Sequence, residues 1–331
     1  MLLRTRFGRW GASVAMVPVL CLGQVWAAPA AKRLGQWQAL ITVKVEGGKR
    51  IQILDLKTGQ AADLAQGPLR GEQPRVAPSR DSFYFLYREA RPGPYATTLS
   101  LSDLRGNFRT LYQCPEGRDI MASAWWPDGH GILVVVAAHS RQGDGTLLTV
   151  TRAGQVSSLL SVPLSGGCAG FPDNRTVFLN IGYGRQALVD VRTGQTRDFD
   201  LVGGMGLVEP RWCRADGRLY TSAWAGYTPA SQWSQYPNAA ADDAKAFAAT
   251  GIYSFKSDGT DLRRVPNVHG SRKRDGNRLD VKLVDVSPDG KYLLFSYLYG
   301  EGGLWVTDRA GKKIAPISGV GQTVDDASWS S

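Results

Sequence analysis

One pattern recurs along this chain and restricts its possible folds more than any other feature. The stretch "VSPDGKYLLFSYLYGEGGLWVTDRAGKK", residues 286–313, contains a Pro-Asp-Gly turn, two apolar runs separated by a Gly-rich break, and a second Gly turn. The same order of parts occurs in residues 124–155 and 170–195. Weaker copies begin near residues 76 and 212. Each copy indicates short strands joined by tight turns.

Two independent markers count the copies. The residue about two positions before the first turn recurs at intervals of 42 to 49 residues, apart from one gap of 74. These markers are Val76, Trp125, Gly170, Trp212, Val286 and Trp329. The second marker is the glycine of a later turn, found at Gly59, Gly106, Gly154, Gly194, Gly259 and Gly311. Both markers give six units, and the interval is typical of propeller blades.

The fold class follows from the strands within each unit. Runs such as residues 132–138 and 83–87 are apolar on both faces and suit inner strands between neighbouring sheets. The chain ends with a lone first strand near 324–331 and begins with three strands near 37–45, 50–56 and 61–64. Joined, they make one blade and remove the exposed sheet edges. We predict an all-β, six-bladed propeller of four-stranded antiparallel blades, closed by pairing of the two ends.

The first residues have the pattern of a secretory signal peptide. A basic start with Arg4, Arg6 and Arg9 precedes a largely apolar stretch, and Val25-Trp26-Ala27 supplies a cleavage site. The apolar stretch is short for a membrane span of about 20 residues. We therefore expect a signal peptide at 1–27, a mature propeller at 28–331 in the periplasm or secreted, and no transmembrane segment after cleavage.

Charge and cysteine content exclude several classes. Loss of the three leader arginines lowers the formal charge from +10 to +7, and the remaining charges are scattered. We expect no nucleic-acid binding, and we interpret the basic run at 272–274 as a solvated loop rather than an anion site. Three cysteines remain in the mature chain, Cys114, Cys168 and Cys213. Buried free thiols are favoured, although one disulfide stays open.

The turn and strands at 286–313, "SPDG" followed by "YLLFSY" and "GLWVTDRAG", resemble the PD40 (WD40-like) repeat. That repeat is known from the propellers of periplasmic TolB proteins and of prolyl-oligopeptidase-type peptidases. The resemblance covers about residues 37–331 and implies a TolB-like propeller. TolB proteins also carry an α/β domain before the propeller. Here we expect only the signal and a short linker before Trp37, so that domain's contacts are not carried over.

A search for chemistry finds no catalytic signature. Three histidines, His130, His139 and His269, are scattered and are interpreted as solvated structural residues. The zinc-protease, P-loop, EF-hand and nucleophile-elbow motifs do not occur in the mature chain. We expect no catalytic residue, cofactor or metal site, although a triad assembled only by the fold would escape such a search.

Two candidate binding surfaces remain. Glu72, Glu209 and Asp326 precede their markers by three or four residues, so they are expected to converge at one tunnel mouth and attract a cation or a basic partner. The alternative is that they hydrogen-bond local backbone. The second surface is the insertion at 227–250, which contains Tyr227, Trp233 and Tyr236 and suits a partner or a sugar. The alternative is a lid packed on the propeller.

We therefore expect a monomeric, non-enzymatic, protein-binding scaffold of the bacterial cell envelope. One alternative is a carbohydrate-binding propeller that uses Trp224, Tyr227 and Trp233. Another is a propeller hydrolase or lyase, including a lactonase, with its site at the tunnel mouth.

Overall fold

The computed structural model describes residues 33–46, 48–87, 96–139, 144–162, 166–180, 186–199, 206–224, 248–272, 278–298, 303–317 and 324–329. The named elements in these residues are all strands, and they form six antiparallel sheets. No described residue belongs to a helix with the length and hydropathy needed to cross a bilayer. The six-bladed, all-β propeller predicted from the repeat is therefore confirmed.

The first three blades use the first half of the strands. Blade 1 contains β1 (Gln38–Val45), β2 (Gly48–Asp55), β3 (Ala61–Asp63) and the short β4 (Leu69–Arg70). Blade 2 contains β5 (Glu72–Val76), β6 (Ser82–Tyr87), β7 (Thr98–Asp103) and β8 (Phe108–Gln113). Blade 3 contains β9 (Arg118–Trp125), β10 (Gly131–Ala138), β11 (Gly145–Thr151) and β12 (Val156–Val162).

The other blades repeat this order. Blade 4 contains β13 (Gly167–Gly170), β14 (Thr176–Asn180), β15 (Gln186–Asp190) and β16 (Thr196–Phe199). Blade 5 contains β17 (Gly206–Cys213), β18 (Arg218–Trp224), β19 (Gly251–Lys256) and β20 (Arg263–Arg264). Blade 6 contains β21 (Ser271–Arg272), β22 (Arg278–Val286), β23 (Tyr292–Leu298), β24 (Leu304–Asp308) and β25 (Ile314–Pro316), and the last strand is β26 (Val324–Ser328).

The last strand closes the ring. β26 pairs antiparallel with β1, with Leu40 opposite Ser328 and Ile41 opposite Ala327. Blade 1 therefore takes its innermost strand from the end of the chain and the other strands from its beginning, as predicted. Trp329 is fully buried beside Trp37, with ring centroids 5.8 Å apart, and its indole nitrogen donates to the Gln36 carbonyl at 2.6 Å.

The hydrophobic core is divided among the blade interfaces. Among the described residues, six apolar clusters each join one blade to the next. β10 explains the arrangement, because Ile132 and Val134 pack toward blade 2 whereas Leu133 and Val135 pack toward blade 4. Inner strands are therefore apolar on both faces, as the sequence predicted. Tyr87 is the exception, because it ends β6 and is 40% exposed.

Both sets of turns contain residues with the positive φ expected of tight turns. The glycines of the turns between third and fourth strands have φ between 67° and 100° at all six positions. Five turns between first and second strands also contain a left-handed residue, which lies four positions after the marker in four of them and five positions after it at Gly217. These residues are Arg80, Asn174, Gly129, Gly217 and Gly290. Because antiparallel strands alternate in direction, both sets of turns lie on one face of the ring, which we call the turn face.

Candidate functional site

The innermost strands of the six blades are β26, β5, β9, β13, β17 and β22, and successive ones approach one another around the axis. Where these strands end, they line a cavity that is open to solvent. We call this cavity the funnel. Every blade contributes to its lining. Its charged residues are Arg75, Arg211, Arg214 and Asp285, and its other residues include Val76, Pro78, Ser123, Trp125, Pro127, Ala169, Pro210, Trp212 and Ser328.

Two of the funnel arginines occupy matching bulges. Pro74 precedes Arg75 in β5, Pro210 precedes Arg211 in β17, and each pair lies at a register shift of its strand. Proline has no backbone N–H to donate to the hydrogen-bonded ladder of a sheet. It fits at a bulge because the ladder is already interrupted there. In both bulges the arginine Nη1 donates to the preceding proline carbonyl at 2.9 Å. Blades 2 and 5 are three positions apart in a ring of six, so the two guanidinium groups enter the funnel from opposite sides.

The same arginines also bind the neighbouring blade. Arg75 Nη1 donates to the Ala327 carbonyl of blade 1 at 3.3 Å. Arg211 Nε donates to the Val284 carbonyl of blade 6 at 3.1 Å. These bonds hold the guanidinium groups against rigid inner strands, which favours binding because little side-chain freedom remains to be lost.

The carboxylate of the funnel, Asp285, accepts hydrogen bonds from the last strand segment that closes the ring. Asp285 is 3% exposed and accepts from the backbone N–H of Val286 at 2.8 Å. Its other oxygen accepts from the Ser328 hydroxyl at 3.0 Å and from the Trp329 N–H at 2.7 Å. The described funnel lining therefore carries three guanidinium groups and one carboxylate. An anionic group is the electrostatic complement of such a cavity.

Two tryptophans give the funnel its apolar walls. Trp125 is half-buried, and its indole nitrogen donates to the Arg75 carbonyl at 2.9 Å. The Arg152 guanidinium lies 5.4 Å from the Trp125 ring centroid. Trp212 packs edge-on against Phe171, with ring centroids 5.2 Å apart. Concave sites with apolar walls and a few fixed polar groups are the usual form of a ligand site.

Of the three acids singled out from the sequence, Glu72 is the one whose side chain is described. Glu72 begins β5, faces a side cavity with Arg70 and Tyr87, and pairs with Lys49 Nζ at 2.8 Å. Glu209 and Asp326 belong to β17 and β26, and their side chains lie outside the described residues. Glu72 does not line the funnel. The convergence of these carboxylates stays a prediction.

The described ends of the insertion lie on the face opposite the funnel. The described chain leaves after Trp224 at the end of β18 and resumes at Ala248, just before β19. Because β17 and β18 are antiparallel, the end of β18 lies where β17 begins, away from the turn face. Tyr227, Trp233 and Tyr236 lie outside the described residues.

One histidine contacts a buried carboxylate, and three cysteines are buried. His139 Nδ1 lies 2.7 Å from a carboxylate oxygen of buried Asp119, a pair that the sequence analysis missed because it forms across the β9–β10 hairpin. Three cysteines, Cys114, Cys168 and Cys213, are buried, and none of them forms a disulfide among the described residues, as expected. The described residues contain no group of three or more His, Cys, Asp or Glu side chains placed to hold a metal ion.

The funnel arginines were also missed by the sequence analysis. The signal that could have found them is the repeated Pro-Arg pair directly before a marker residue, "PRV" at 74–76 and "PRW" at 210–212. The pair has no catalytic motif around it, so only the ring geometry brings the two copies together.

Comparison with solved structures gives the class of fold. TolB from Acinetobacter baumannii superposes with a TM-score of 0.63 at 13% identity, over 90% of this chain and 68% of that one. An oligogalacturonate lyase in complex with manganese superposes with a TM-score of 0.51 at 13% identity, over 85% of this chain and 73% of that one. At such identities the likeness establishes the TolB-like propeller fold alone. No protein-family model matches the chain. No curated protein matches its sequence.

Proposed function

We propose that this chain is a non-enzymatic scaffold of the bacterial cell envelope that binds a partner protein on the turn face of the propeller. The observation that carries the proposal is the funnel, because a rigid concave site with two tryptophans and three arginines suits an acidic segment of a partner. Tryptophan and arginine are the side chains most often found at the energetic centres of protein interfaces.

The predicted signal peptide at 1–27 and the resemblance to periplasmic TolB proteins support a periplasmic or secreted location for this scaffold. We propose the insertion at 227–250 as a second contact surface, on the opposite face. Its aromatic residues Tyr227, Trp233 and Tyr236 suit a protein partner.

Pull-down from an envelope fraction tests the proposal. Arg214 is exposed in the turn after β17 and lines the funnel, so Arg214→Glu reverses one charge there with little expected effect on folding. We expect this variant to lose the partner. The matched control is Arg192→Glu, an exposed arginine in a blade 4 turn on the same face. Loss of the partner from both variants, or from neither, would contradict binding in the funnel.

The insertion is tested in parallel. A Trp233→Ala, Tyr236→Ala variant that retains every partner of the wild type would show that the insertion is not a contact surface. A partner lost from this variant and retained by Arg214→Glu would move the binding site to the opposite face.

An acidic glycan is the second candidate ligand. Arginine and tryptophan also suit a uronate, since guanidinium pairs with carboxylate and a flat ring stacks on a sugar. The likeness to an oligogalacturonate lyase makes oligogalacturonate the first glycan to assay. Binding without turnover would favour the glycan over a protein partner. Turnover of oligogalacturonate, with or without added Mn²⁺, would contradict the non-enzymatic proposal.

A further inference from the structure

A second cavity lies on the outer part of blade 5 and shares no lining residue with the funnel. It is open to solvent. We call it the rim groove. Strands β18, β19 and β20 supply Arg218, Lys256, Arg263 and Arg264, and the blade 6 turn supplies Arg309.

The rim groove has an excess of positive charge. Its lining contains four arginines and one lysine, against the carboxylates of Asp216 and Asp261. Three positive charges therefore remain after each carboxylate is matched with one cation. Clefts lined with one sign of charge concentrate counter-ions, because their low-dielectric walls focus the field.

Both carboxylates serve to fix the arginines. Asp261 accepts two bonds from Arg263, at 2.9 and 2.8 Å, and one from Arg218 Nη1 at 2.8 Å. These hydrogen bonds, from Arg263 first and then Arg218, hold the pKa of Asp261 below its ordinary value, so the carboxylate stays ionised. Asp216 accepts from the Tyr220 hydroxyl at 2.7 Å and from Arg309 Nη1 at 2.8 Å.

The floor of the groove is a buried cation. Arg218 is 8% exposed, and its guanidinium also donates to the Ser254 hydroxyl and to the Ser254 carbonyl, each at 3.1 Å. A buried guanidinium is costly unless it is paired, and this one shares its carboxylate with Arg263. A bound anion would add a second counter-charge.

Two cations of the rim groove, Lys256 and Arg264, have weaker contacts with the groove carboxylates than the other arginines have. Lys256 is 57% exposed, and its Nζ lies 3.9 Å from Asp261 without a hydrogen bond among the described residues. Arg264 has no ion pair with a described carboxylate. Its Nη2 donates to the Thr250 carbonyl at 2.7 Å, and its guanidinium lies 5.9 Å from the Tyr253 ring centroid. Lys256 and Arg264 are therefore the residues most able to receive an incoming anion.

We propose that the rim groove binds a multiply charged anion of the phosphate class. Arginine forks match phosphate oxygens bidentately, and a dianion or trianion balances the positive excess that the two carboxylates leave. The phosphate group belongs either to a small soluble anion or to the head group of an anionic lipid. This site is separate from the proposed partner-binding funnel.

Calorimetric titration with pyrophosphate at low salt tests the site. We expect binding by the wild type, and an affinity at least about fivefold lower for Lys256→Gln, with a larger loss when Arg264→Gln is added. Lys256 is exposed, so the single variant keeps the test meaningful if the double variant unfolds. The control is Arg192→Gln in the blade 4 turn, for which less than about a twofold change is expected.

Vesicle sedimentation distinguishes the two sources. Binding of the wild type, and not of Lys256→Gln, to vesicles with phosphatidylglycerol identifies a lipid head group; pyrophosphate binding without vesicle binding identifies a soluble anion. Absence of both, equal affinity of Lys256→Gln and wild type, or an equal loss in Arg192→Gln overturns the proposal. Tighter binding of a polyglutamate peptide than of pyrophosphate would also overturn it, in favour of an acidic protein segment.

Discussion

Asp285 is the residue whose contacts connect the funnel to the stability of the ring. Replacement by alanine leaves the buried N–H groups of Val286 and Trp329 without their acceptor. We expect Asp285→Ala to lower the free energy of unfolding by about 3 kcal/mol, since each orphaned buried group costs about 1–3 kcal/mol. Urea unfolding measures the loss. The control Asp144→Ala, at an exposed position, is expected to change stability by less than about 0.5 kcal/mol. A loss under about 1 kcal/mol for Asp285→Ala would contradict this role.

Asp81 gives a prediction for the pH dependence of stability. Partial burial acts to raise its pKa, but hydrogen bonds from Ser79, Ser82 and Arg152 outweigh it and lower the pKa from 3.8 to about 2. Arg152 comes from blade 3, and its Nη2 lies 3.0 Å from the Asp81 carboxylate of blade 2. Because the folded pKa is the lower one, this contribution is complete above about pH 4 and is lost as the pH falls toward 2.

Asp81→Asn removes that titration. We expect the stability difference between wild type and Asp81→Asn to shrink by roughly 1–2 kcal/mol between pH 5 and pH 2.5, measured by urea unfolding at each pH. A difference that stays constant over this range would show that the contact between blades 2 and 3 does not depend on the Asp81 charge.

At the scale of the element, the turn glycines differ in their surroundings although their sequences are alike. Gly194 and Gly311 have φ of 72° and 67°. A Cβ at Gly194 would meet nothing within 4 Å, whereas one at Gly311 would overlap the Pro266 carbonyl of the preceding segment. We expect Gly194→Ala to cost about 1 kcal/mol through backbone strain alone and Gly311→Ala to cost about 3 kcal/mol or more. Thermal unfolding of both variants measures the difference, and equal losses would contradict it.

The strands and turns could be predicted from sequence because their causes are local. Alternation, apolar runs and glycines at positive φ act within a few residues, and the repeat multiplies the signal sixfold. The weaker copy of the repeat that begins near residue 76 follows the same rule, since Arg80 adopts the left-handed conformation that Gly129 and Gly290 adopt in other copies. Closure by β26 was predictable because the two ends contain complementary parts of one blade.

The candidate site was much less predictable. Arg75 and Arg211 lie far apart in sequence, and their meeting depends on which blades stand opposite one another. The rim groove likewise combines Arg218, Lys256 and Arg309, which come from three strands or turns and two blades. The sequence search concentrated on carboxylates and histidines and therefore passed over arginines that carry no catalytic motif.

At the scale of the whole molecule, the number of reactive thiols measures both the folding of the protein and the cleavage of the predicted signal peptide. Burial raises the pKa of Cys114 and of Cys213 to about 12, so neither thiolate forms near neutral pH. We expect no reaction of the native mature protein with Ellman's reagent and three reactive thiols after unfolding. A fourth thiol would be Cys21, and its presence, or an N-terminus before Ala28, would contradict cleavage of the predicted signal peptide.

Photo-crosslinking in the native envelope tests the central claim most directly. A benzoylphenylalanine placed at position 127 lies in the funnel lining, one at position 233 lies in the insertion, and one at position 192 is a control on the turn face. A closed propeller that holds a partner segment in its funnel predicts a discrete crosslinked product from position 127 and none from position 192. Crosslinking from position 233 alone, or equally from 192 and 127, would contradict it.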